Sequence, residues 1–259
     1  LATNEVPALI VGEHGTGKAL VASTIHDNSE RRERTFVTVD CETLPEAALE
    51  AELMAEHTGT VHLASVHALP RVLQARLVRV AAEDRGRGAR PTTGARLVAS
   101  TDKDLAAFVD AGTFSRELLD LLSVITLRLP PLRDRLEDIP VLVRYFIERF
   151  NHELNRSIKG VDDHVLARFQ EHGWPGNVGE LESVVKRACI VTRGDVITLP
   201  DIGNSLAENR LPARQDAESA LVRAARVALQ ERLVDTPSGS EASVFHDLVT
   251  LVEAALVKE

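Results

Sequence analysis

The run GEHGTGK at residues 12–18 has the residue types and the spacing of a loop that binds phosphate groups. It follows an apolar segment, Val6 to Val11, and precedes an amphipathic stretch that begins at Ala19. In that setting backbone N–H groups surround an anion, the next helix presents its positive end, and Lys18 adds a positive charge for the outer phosphates. We therefore predict ATP or ADP as the ligand. The predicted binding residues are Gly12, Glu13, His14, Gly15, Thr16, Gly17, Lys18 and Ala19.

The residue after the loop lysine argues against full support for a metal ion. A hydroxyl at this position normally coordinates Mg²⁺, but this chain has Ala19. Three histidines, His57, His62 and His67, are close in sequence but lack a recognised metal-ligand spacing. The sequence therefore predicts a phosphate site with incomplete Mg²⁺ support, and it assigns no metal-binding residue.

Length, composition and charge predict a folded protein of the cytoplasm. The chain has 259 residues, of which 44% are hydrophobic, and a net charge of −9. No apolar run reaches membrane-spanning length, so no membrane partner is expected. The negative charge argues against a continuous nucleic-acid surface. The two cysteines, Cys41 and Cys189, are far apart in sequence and are expected to be buried and reduced.

Strand-like and helix-like segments alternate up to about Leu132, which predicts an α/β core with a parallel sheet. From Leu136 the pattern is helical and predicts a lid. The expected domains are a nucleotide-binding core at 1–135, a helical lid at 136–205, a linker with a helix at 206–240 and a further helix at 241–259. The predicted strands are Val6 to Val11, Phe36 to Asp40, Thr60 to Leu63, Arg96 to Ser100 and Val124 to Leu129.

Six blocks in order carry a family resemblance: GEHGTGK, FVTVDCETLPEAALEAEL, LPRVLQARLVRV, ARLVASTDKDLAAFVDAGTF, ITLRLPPLRDRLEDIPVL and WPGNVGELESVVKRACIVTRGDVITLPDI. Together they resemble the AAA+ domain of bacterial enhancer-binding proteins, the sigma-54-dependent transcription activators. The resemblance implies a P-loop ATPase core with a helical lid, assembly into homo- or hetero-oligomers through this domain, and remodelling of sigma-54 RNA polymerase.

The chain departs from the family pattern at two places around the third predicted strand, one after the strand and one before it. Where the family has an aspartate that supports Mg²⁺ and a glutamate that polarises water, this chain has Ala64 and Ser65. The long excursion with the GAFTGA motif, which in the family touches sigma-54, is missing between His57 and Gly59. The sequence therefore argues against contact with the sigma factor or RNA polymerase.

Further departures affect the positive charges that the family directs at the γ-phosphate. Ser115 and Leu121 stand at the two arginine positions that act between subunits, and Gly179 replaces the lid arginine. Arg116 lies one residue later, which on a helix is a rotation of about 100°. With these losses we expect no catalytic residue and, instead of an enzyme, a pseudo-ATPase.

Two aspartates, Asp40 and Asp102, stand where the family has neutral polar residues, and we expect them to add negative charge near the phosphates. The main interpretation is a transcription-regulator module that binds ATP or ADP without turnover and acts through oligomerisation. Two alternatives stay open: an active ATP-driven remodeller of sigma-54 RNA polymerase with substitute residues, and a nucleotide-free interaction domain.

The last helical segment, which begins near Ser243, resembles the first helix of a Fis-type DNA-binding domain. A packing or dimerisation helix is an equal alternative. The helix-turn-helix motif itself is not in this sequence, so DNA contact is expected only through residues beyond the chain. Because the first strand starts near residue 1 and the last helix stops at Glu259, we expect a piece of a longer protein.

Overall fold

A computed structural model describes residues 6–85 and 95–206 of the chain, and the predicted helices after residue 206 lie outside the described residues. Within that part, five strands form a sheet in the order β2-β3-β4-β1-β5, and all neighbouring pairs are parallel. These strands are β1 (Ala8–Val11), β2 (Phe36–Asp40), β3 (Thr60–Ala64), β4 (Arg96–Thr101) and β5 (Ile125–Arg128). The predicted parallel α/β core is confirmed, because each of the five predicted strand segments forms a strand of this sheet.

Helices cover both faces of this sheet. The core helices are α1 (Lys18–Asp27), α2 (Glu46–Met54), α3 (Arg71–Arg85), α4 (Leu105–Asp110) and α5 (Arg116–Leu122). On one face Ile10 and Val98 pack against Ala22 and Ile25 of α1. On the other face a larger cluster joins the strands to α2, α3 and α5. The sheet is thus buried on both sides, and its carboxyl edge is left to bind a ligand.

Helix α4 was not expected from the sequence. Its six residues are too few for a helical period to stand out. It begins at Asp104, whose carboxylate accepts a hydrogen bond of 3.0 Å from the Ala106 N–H. This cap satisfies one of the free N–H groups of the first turn and starts the helix.

The lid is a helical layer with its own core. Its helices are α6 (Ile139–Leu154), α7 (Asp163–Gln170), α8 (Asn177–Val191) and α9 (Leu199–Ile202), with a short parallel pair of β6 (Gly160–Val161) and β7 (Val196–Ile197). Phe150, Phe169 and Trp174 are fully buried at its centre. The Trp174 indole N–H donates to the Phe169 carbonyl oxygen at 2.7 Å. The predicted helical lid is confirmed, and its two-residue strands are too short for sequence periodicity to indicate.

Across residues 6–85 and 95–206, no helix combines the length and the apolar character that crossing a membrane requires.

Candidate nucleotide-binding site

The loop between β1 and α1 has the backbone shape of a phosphate cradle. Its first residue, Gly12, is tied to the neighbouring strand by a hydrogen bond of 3.1 Å from its N–H to the Thr101 carbonyl. Gly15 and Gly17 have φ angles of 77° and 98°, a conformation that glycine adopts without the strain of a side chain. A Cβ atom on Gly17 would meet nothing within 4 Å. This geometry fits a bound phosphate.

Lys18 is the first residue of α1 and folds back over the loop. Its Nζ donates hydrogen bonds of 2.8 Å to the carbonyl oxygens of Gly12 and Glu13. The side chain is half-buried, and this burial lowers the pKa of Lys18, while the negative charge of Asp102 acts in the opposite direction. The ammonium group is thus held at the mouth of the cradle, where a phosphate oxygen can replace the two carbonyls.

The residues present do not supply the usual protein ligands of Mg²⁺. Ala19 is exposed and has no hydroxyl. The Thr16 side chain is buried, and its hydroxyl donates to the Glu13 carbonyl at 2.9 Å instead of pointing into the cradle. At the end of β3 stands Ala64, whose methyl group cannot coordinate a cation. The site therefore fits a phosphate but not the family's metal support.

The start of lid helix α8 packs directly on the phosphate loop. The Gly179 N–H donates to the Gly15 carbonyl at 3.2 Å, and a Cβ atom on Gly15 would lie 2.0 Å from the Gly176 carbonyl oxygen. The Asn177 amide donates to the His14 carbonyl at 2.8 Å. Gly179, the position of the lid arginine in the family, thus lies against the loop but carries no charge. The backbone of the lid supports the cradle.

Two arginines that follow β5 also hold the loop. Arg133 makes a bidentate ion pair with Glu13, with N–O distances of 2.5 and 2.8 Å. The hydrogen bond from Arg133, helped by one from Asn177, lowers the pKa of Glu13 to about 2. Arg135 donates to the Thr16 carbonyl at 3.1 Å. Because the Glu13 carboxylate pairs with Arg133, it ties the phosphate loop to the segment that follows β5.

These lid and post-strand residues were not predicted as part of the site. Arg133, Arg135 and Asn177 are more than 110 positions away from the loop residues that they contact. These residues lie in the sequence blocks PPLRDR and WPGN. The sequence alone does not show that these blocks contact the phosphate loop. In contrast, the predicted residues 12–19 are consecutive: residues 12–17 connect β1 to α1, and Lys18 and Ala19 are the first residues of α1.

The turn after β3 keeps an unusual backbone without the acidic side chains. Ser65 has φ 51° and ψ 43°, a left-handed conformation that is uncommon for a residue other than glycine. Ala64 is the last residue of β3, and neither the methyl group of Ala64 nor the hydroxyl of Ser65 can act as a general base in the way a carboxylate does. This turn therefore has a strained backbone and carries no carboxylate at positions 64 and 65.

Asp102 lies beside the phosphate loop, and His67 lies beside Asp102. Asp102 follows β4 directly after Thr101, the residue that binds Gly12. Its carboxylate is 3.3 Å from Lys103 Nζ and 3.8 Å from His67 Nδ1, and the His67 ring also contacts the Thr101 hydroxyl at 3.1 Å. Burial would raise the pKa of Asp102, but the hydrogen bond from Lys103 and the nearby charges lower it. The carboxylate is therefore ionised at neutral pH.

Asp40 lies farther from the loop than the sequence suggested. It ends β2, and both β3 and β4 separate β2 from β1. Three strand spacings amount to about 14 Å. The Asp40 carboxylate accepts a hydrogen bond of 3.0 Å from the Glu42 N–H, and its register partner is Ala64. Of the two aspartates, Asp102 is the one beside the cradle.

Helix α5 carries the two positions of the missing arginines. Ser115 caps this helix, since its hydroxyl accepts a hydrogen bond of 3.3 Å from the Leu118 N–H. Leu121 is buried in the core of the sheet, with 9% of its surface exposed. Arg116 is exposed and pairs with Asp110 at 3.8 Å. At these two positions Ser115 thus serves as a helix cap and Leu121 as a core residue.

A five-residue connection, 55–59, joins α2 to β3. The Arg31 guanidinium donates to the carbonyls of Thr58 and Gly59 at 3.0 and 3.1 Å, and Arg34 donates to the Thr58 carbonyl at 2.9 Å. A Cβ atom on Gly59 would lie 1.8 Å from the Thr35 carbonyl oxygen. The connection is short, leaves no room for a side chain at Gly59 and is held by two arginines.

The histidines have structural partners. His62 is buried and contacts the Ser100 hydroxyl at 2.9 Å, and burial lowers its pKa to about 4. His57 contacts the Glu52 carbonyl at 2.8 Å. Among the described residues no group of three or more histidine, cysteine, aspartate or glutamate side chains could hold a metal ion. Cys41 and Cys189 are both buried and free.

Comparison with known proteins identifies both parts of the fold. The sigma-54 interaction domain matches residues 1–132, and the AAA+ ATPase lid domain matches residues 133–219. The regulatory protein AtoC of Escherichia coli (strain K12) is 37% identical over 225 residues, which are 78% of this chain and 49% of AtoC. The transcriptional regulator NtrC of Rhizobium meliloti (strain 1021) is 36% identical, over 80% of this chain and 47% of NtrC. The chain spans about half the length of these relatives.

Solved structures show the same architecture. The structure of Brucella abortus NtrX in complex with ATP has a TM-score of 0.73 and 30% identity, and it covers 89% of this chain and 57% of that chain. The NtrX complex with ADP has a TM-score of 0.72 and 29% identity, over 87% of this chain and 56% of that chain. The Thermotoga maritima RuvB motor has a TM-score of 0.57 at 17% identity, over 78% of this chain and 61% of that chain, and shares the fold.

Proposed function

The chain belongs to the family of sigma-54 interaction domains with an AAA+ ATPase lid, and we propose that it binds ATP or ADP without hydrolysing the nucleotide. The observation that carries the proposal is the combination of an intact phosphate loop with Ala64 and Ser65 at the positions of the acidic pair. Binding depends on loop amides and one lysine, whereas hydrolysis also needs a base and positive charge at the γ-phosphate. This chain retains the first set and lacks the second.

Nucleotide binding is supported by the loop itself and by a relative. The glycines have the required backbone angles, and Lys18 lies at the mouth of the cradle. The NtrX structures contain ATP or ADP in a protein of the same fold. We therefore expect ADP or ATP to bind in the loop of residues 12–18 with modest affinity, since the chain supplies neither Mg²⁺ support nor a lid arginine.

Loss of turnover is supported by several independent positions. Removing an arginine that faces the γ-phosphate from a neighbouring subunit costs about 10³ to 10⁵ in rate. Ser115 is engaged as a helix cap, and Leu121 is turned into the core. Arg116 points to Asp110. No single substitution restores all of these contributions, so the chain acts as a pseudo-ATPase.

A second candidate function, slow ATP-driven remodelling, is favoured by the position of His67. Its ring lies at the carboxyl edge of the sheet, 3.1 Å from the Thr101 hydroxyl and close to the Asp102 carboxylate. An imidazole in such a place can take a proton from water. This candidate still lacks a positive charge for the γ-phosphate, so the non-hydrolysing function has the stronger support.

The biological role we propose is a regulatory or oligomerisation module in sigma-54-type transcription control, in the cytoplasm. The short connection of residues 55–59 is anchored by Arg31 and Arg34 and offers no long loop with which to reach a sigma factor. Regulation would then work through co-assembly with copies of this chain or with an active relative. DNA contact would need residues beyond this chain.

Calorimetry and thermal melting with ADP and ATP test the binding half of this proposal. We expect heat of binding and a raised melting temperature for the wild-type chain, and a loss of about 100-fold in affinity for Lys18→Ala, because a charge-assisted contact to phosphate is removed. Lys159→Ala is the matched control, since Lys159 lies in the lid and pairs with Asp195. No binding at millimolar nucleotide would favour the nucleotide-free interaction domain.

A further inference from the structure

The position of Asp102 has a consequence for which nucleotide the site prefers. The Lys18 ammonium normally reaches the β- and γ-phosphates. Asp102 follows Thr101, whose carbonyl binds the Gly12 N–H at 3.1 Å, and the Asp102 charge acts on the pKa of Lys18. The Asp102 carboxylate therefore lies at the end of the strand next to the phosphate loop, near enough for its charge to act on Lys18.

The groups that face Asp102 offset only part of its negative charge. Lys103 Nζ is 3.3 Å from the carboxylate, but its side chain is 52% exposed and its charge is screened by water. His67 Nδ1 is 3.8 Å from the Asp102 carboxylate, and the same nitrogen contacts the Thr101 hydroxyl at 3.1 Å. In the lid, the Gly179 N–H donates to the Gly15 carbonyl at 3.2 Å, but Gly179 has no side chain to offset the carboxylate. The outer end of the site therefore has an excess of negative charge.

We propose that Asp102 makes this site selective for nucleoside diphosphates over triphosphates. The loop amides and Lys18 serve the β-phosphate of either nucleotide, whereas a γ-phosphate brings further negative charge toward Asp102 and has to share the same lysine. The proposal rests on nucleotide binding in the loop, the function proposed above, and it names Asp102 as the residue that sets the ligand preference. The module would thus be occupied mainly by ADP when the two nucleotides are equally abundant.

Titration calorimetry with ADP and with ATP, each in EDTA and each with Mg²⁺, tests the preference. For the wild-type chain in EDTA we expect ADP to bind about tenfold more tightly than ATP, the size of one like-charge contact in a partly exposed site. Asp102→Asn should bring the two affinities together by strengthening ATP binding. Asp102→Glu should keep the preference, because it keeps the charge.

Asp40→Asn is the matched control, since Asp40 lies about 14 Å away across three strand spacings. It should leave the ADP to ATP ratio unchanged. Thermal melting of each variant shows whether it is folded, and Asp102→Ser replaces Asp102→Asn if the latter is not.

Each contrary outcome has its own meaning. Equal affinities in the wild-type chain, or an unchanged ratio in the neutral variants, would overturn the preference and leave the binding function standing. Tighter binding of ATP with Mg²⁺ that Asp102→Asn abolishes would also overturn it, because Asp102 would then be a metal ligand. Absence of binding by both nucleotides would overturn both proposals.

Discussion

The phosphate loop and the end of β3 lie at the same edge of one sheet, yet they are determined in different ways. The loop is defined by backbone angles at Gly15 and Gly17 and by main-chain contacts with the lid. The turn at Ala64 and Ser65 keeps its backbone shape, but its function in the family depends on two carboxylates. Backbone geometry is preserved by packing, whereas a catalytic side chain can be lost without harm to the fold.

This difference explains how binding and catalysis can separate within one domain. The lid presses Gly176 against Gly15, so any change of loop shape also disturbs the packing of the lid. No comparable contact requires an acid at position 64 or an arginine at position 115. We therefore expect substitutions in the loop to lower the free energy of unfolding strongly. At positions 115 and 121 the loss of stability should depend on how deeply the side chain is buried.

The largest effect is expected for Gly15→Ala. A methyl group would meet the Gly176 carbonyl oxygen at 2.0 Å, and the φ angle of 77° adds strain. Because the clash with backbone adds to the strain, we expect a loss of about 4 kcal/mol or more in the free energy of unfolding, and a loss of nucleotide binding. Chemical denaturation measures the first effect and calorimetry the second.

Gly17→Ala and Gly112→Ala separate the two causes. Both glycines have positive φ angles, of 98° and 72°, but a Cβ atom on either would meet nothing within 4 Å. Each should cost about 1 kcal/mol from backbone strain. A loss in Gly15→Ala no larger than in these controls would show that the contact between lid and loop is not tight.

The second prediction concerns the two former arginine positions on α5. Leu121→Arg places a guanidinium in the core and should cost about 2–4 kcal/mol in unfolding free energy. Ser115→Arg removes only a helix cap and should cost about 1 kcal/mol. Denaturation curves compare both with Asp120→Arg, an exposed control on the same helix. Equal stability of Leu121→Arg and the control would mean that Leu121 is not a core residue in solution.

A smaller effect is expected at Ser65. Because its φ of 51° suits glycine, Ser65→Gly should stabilise the fold by about 0.5 kcal/mol. Ser123→Gly is the control, since Ser123 has a negative φ of −89° and should show no gain. Melting temperatures of both variants measure the difference. A loss of stability in Ser65→Gly would contradict the strained turn.

The smallest effect is the pH dependence of the Glu13–Arg133 pair. The folded-state pKa of Glu13 is lowered to about 2 from an ordinary 4.5. A lowered pKa adds stability above pH 4.5 that is lost as the pH falls toward 2. Because both side chains are partly exposed, we expect a contribution of about 0.3 kcal/mol to the free energy of unfolding. Acid titrations of stability should differ by that amount between the wild-type chain and Glu13→Gln, and identical titrations would exclude the contribution.

Much of the fold could be predicted because its determinants are local. The strand Phe36–Asp40 was predicted with the same bounds that the structure has, since a short apolar run between turns is a sufficient signal. The phosphate loop was predicted from seven consecutive residues. Helix α4 was missed because it is short, and the β6–β7 pair was missed because it consists of two-residue strands.

The rest of the site could not be predicted because it depends on the order of strands and on lid packing. Asp40 and Asp102 looked equivalent in sequence, but only Asp102 follows a strand that adjoins β1. The ion pair of Arg133 with Glu13 joins residues 120 positions apart. The burial of Leu121 was equally hidden, because an apolar residue at a former arginine position can point to solvent or into the core.

The most direct test of the account is a single-turnover experiment with the chain in excess over labelled ATP. At a protein concentration above that needed for binding, we expect the bound nucleotide to be recovered as ATP after hours, with no more label released than in Lys18→Ala. Release of phosphate by the wild-type chain that Lys18→Ala abolishes would contradict the account. If His67→Ala abolished the same release, the substitute base would be identified, and the chain would be an impaired enzyme.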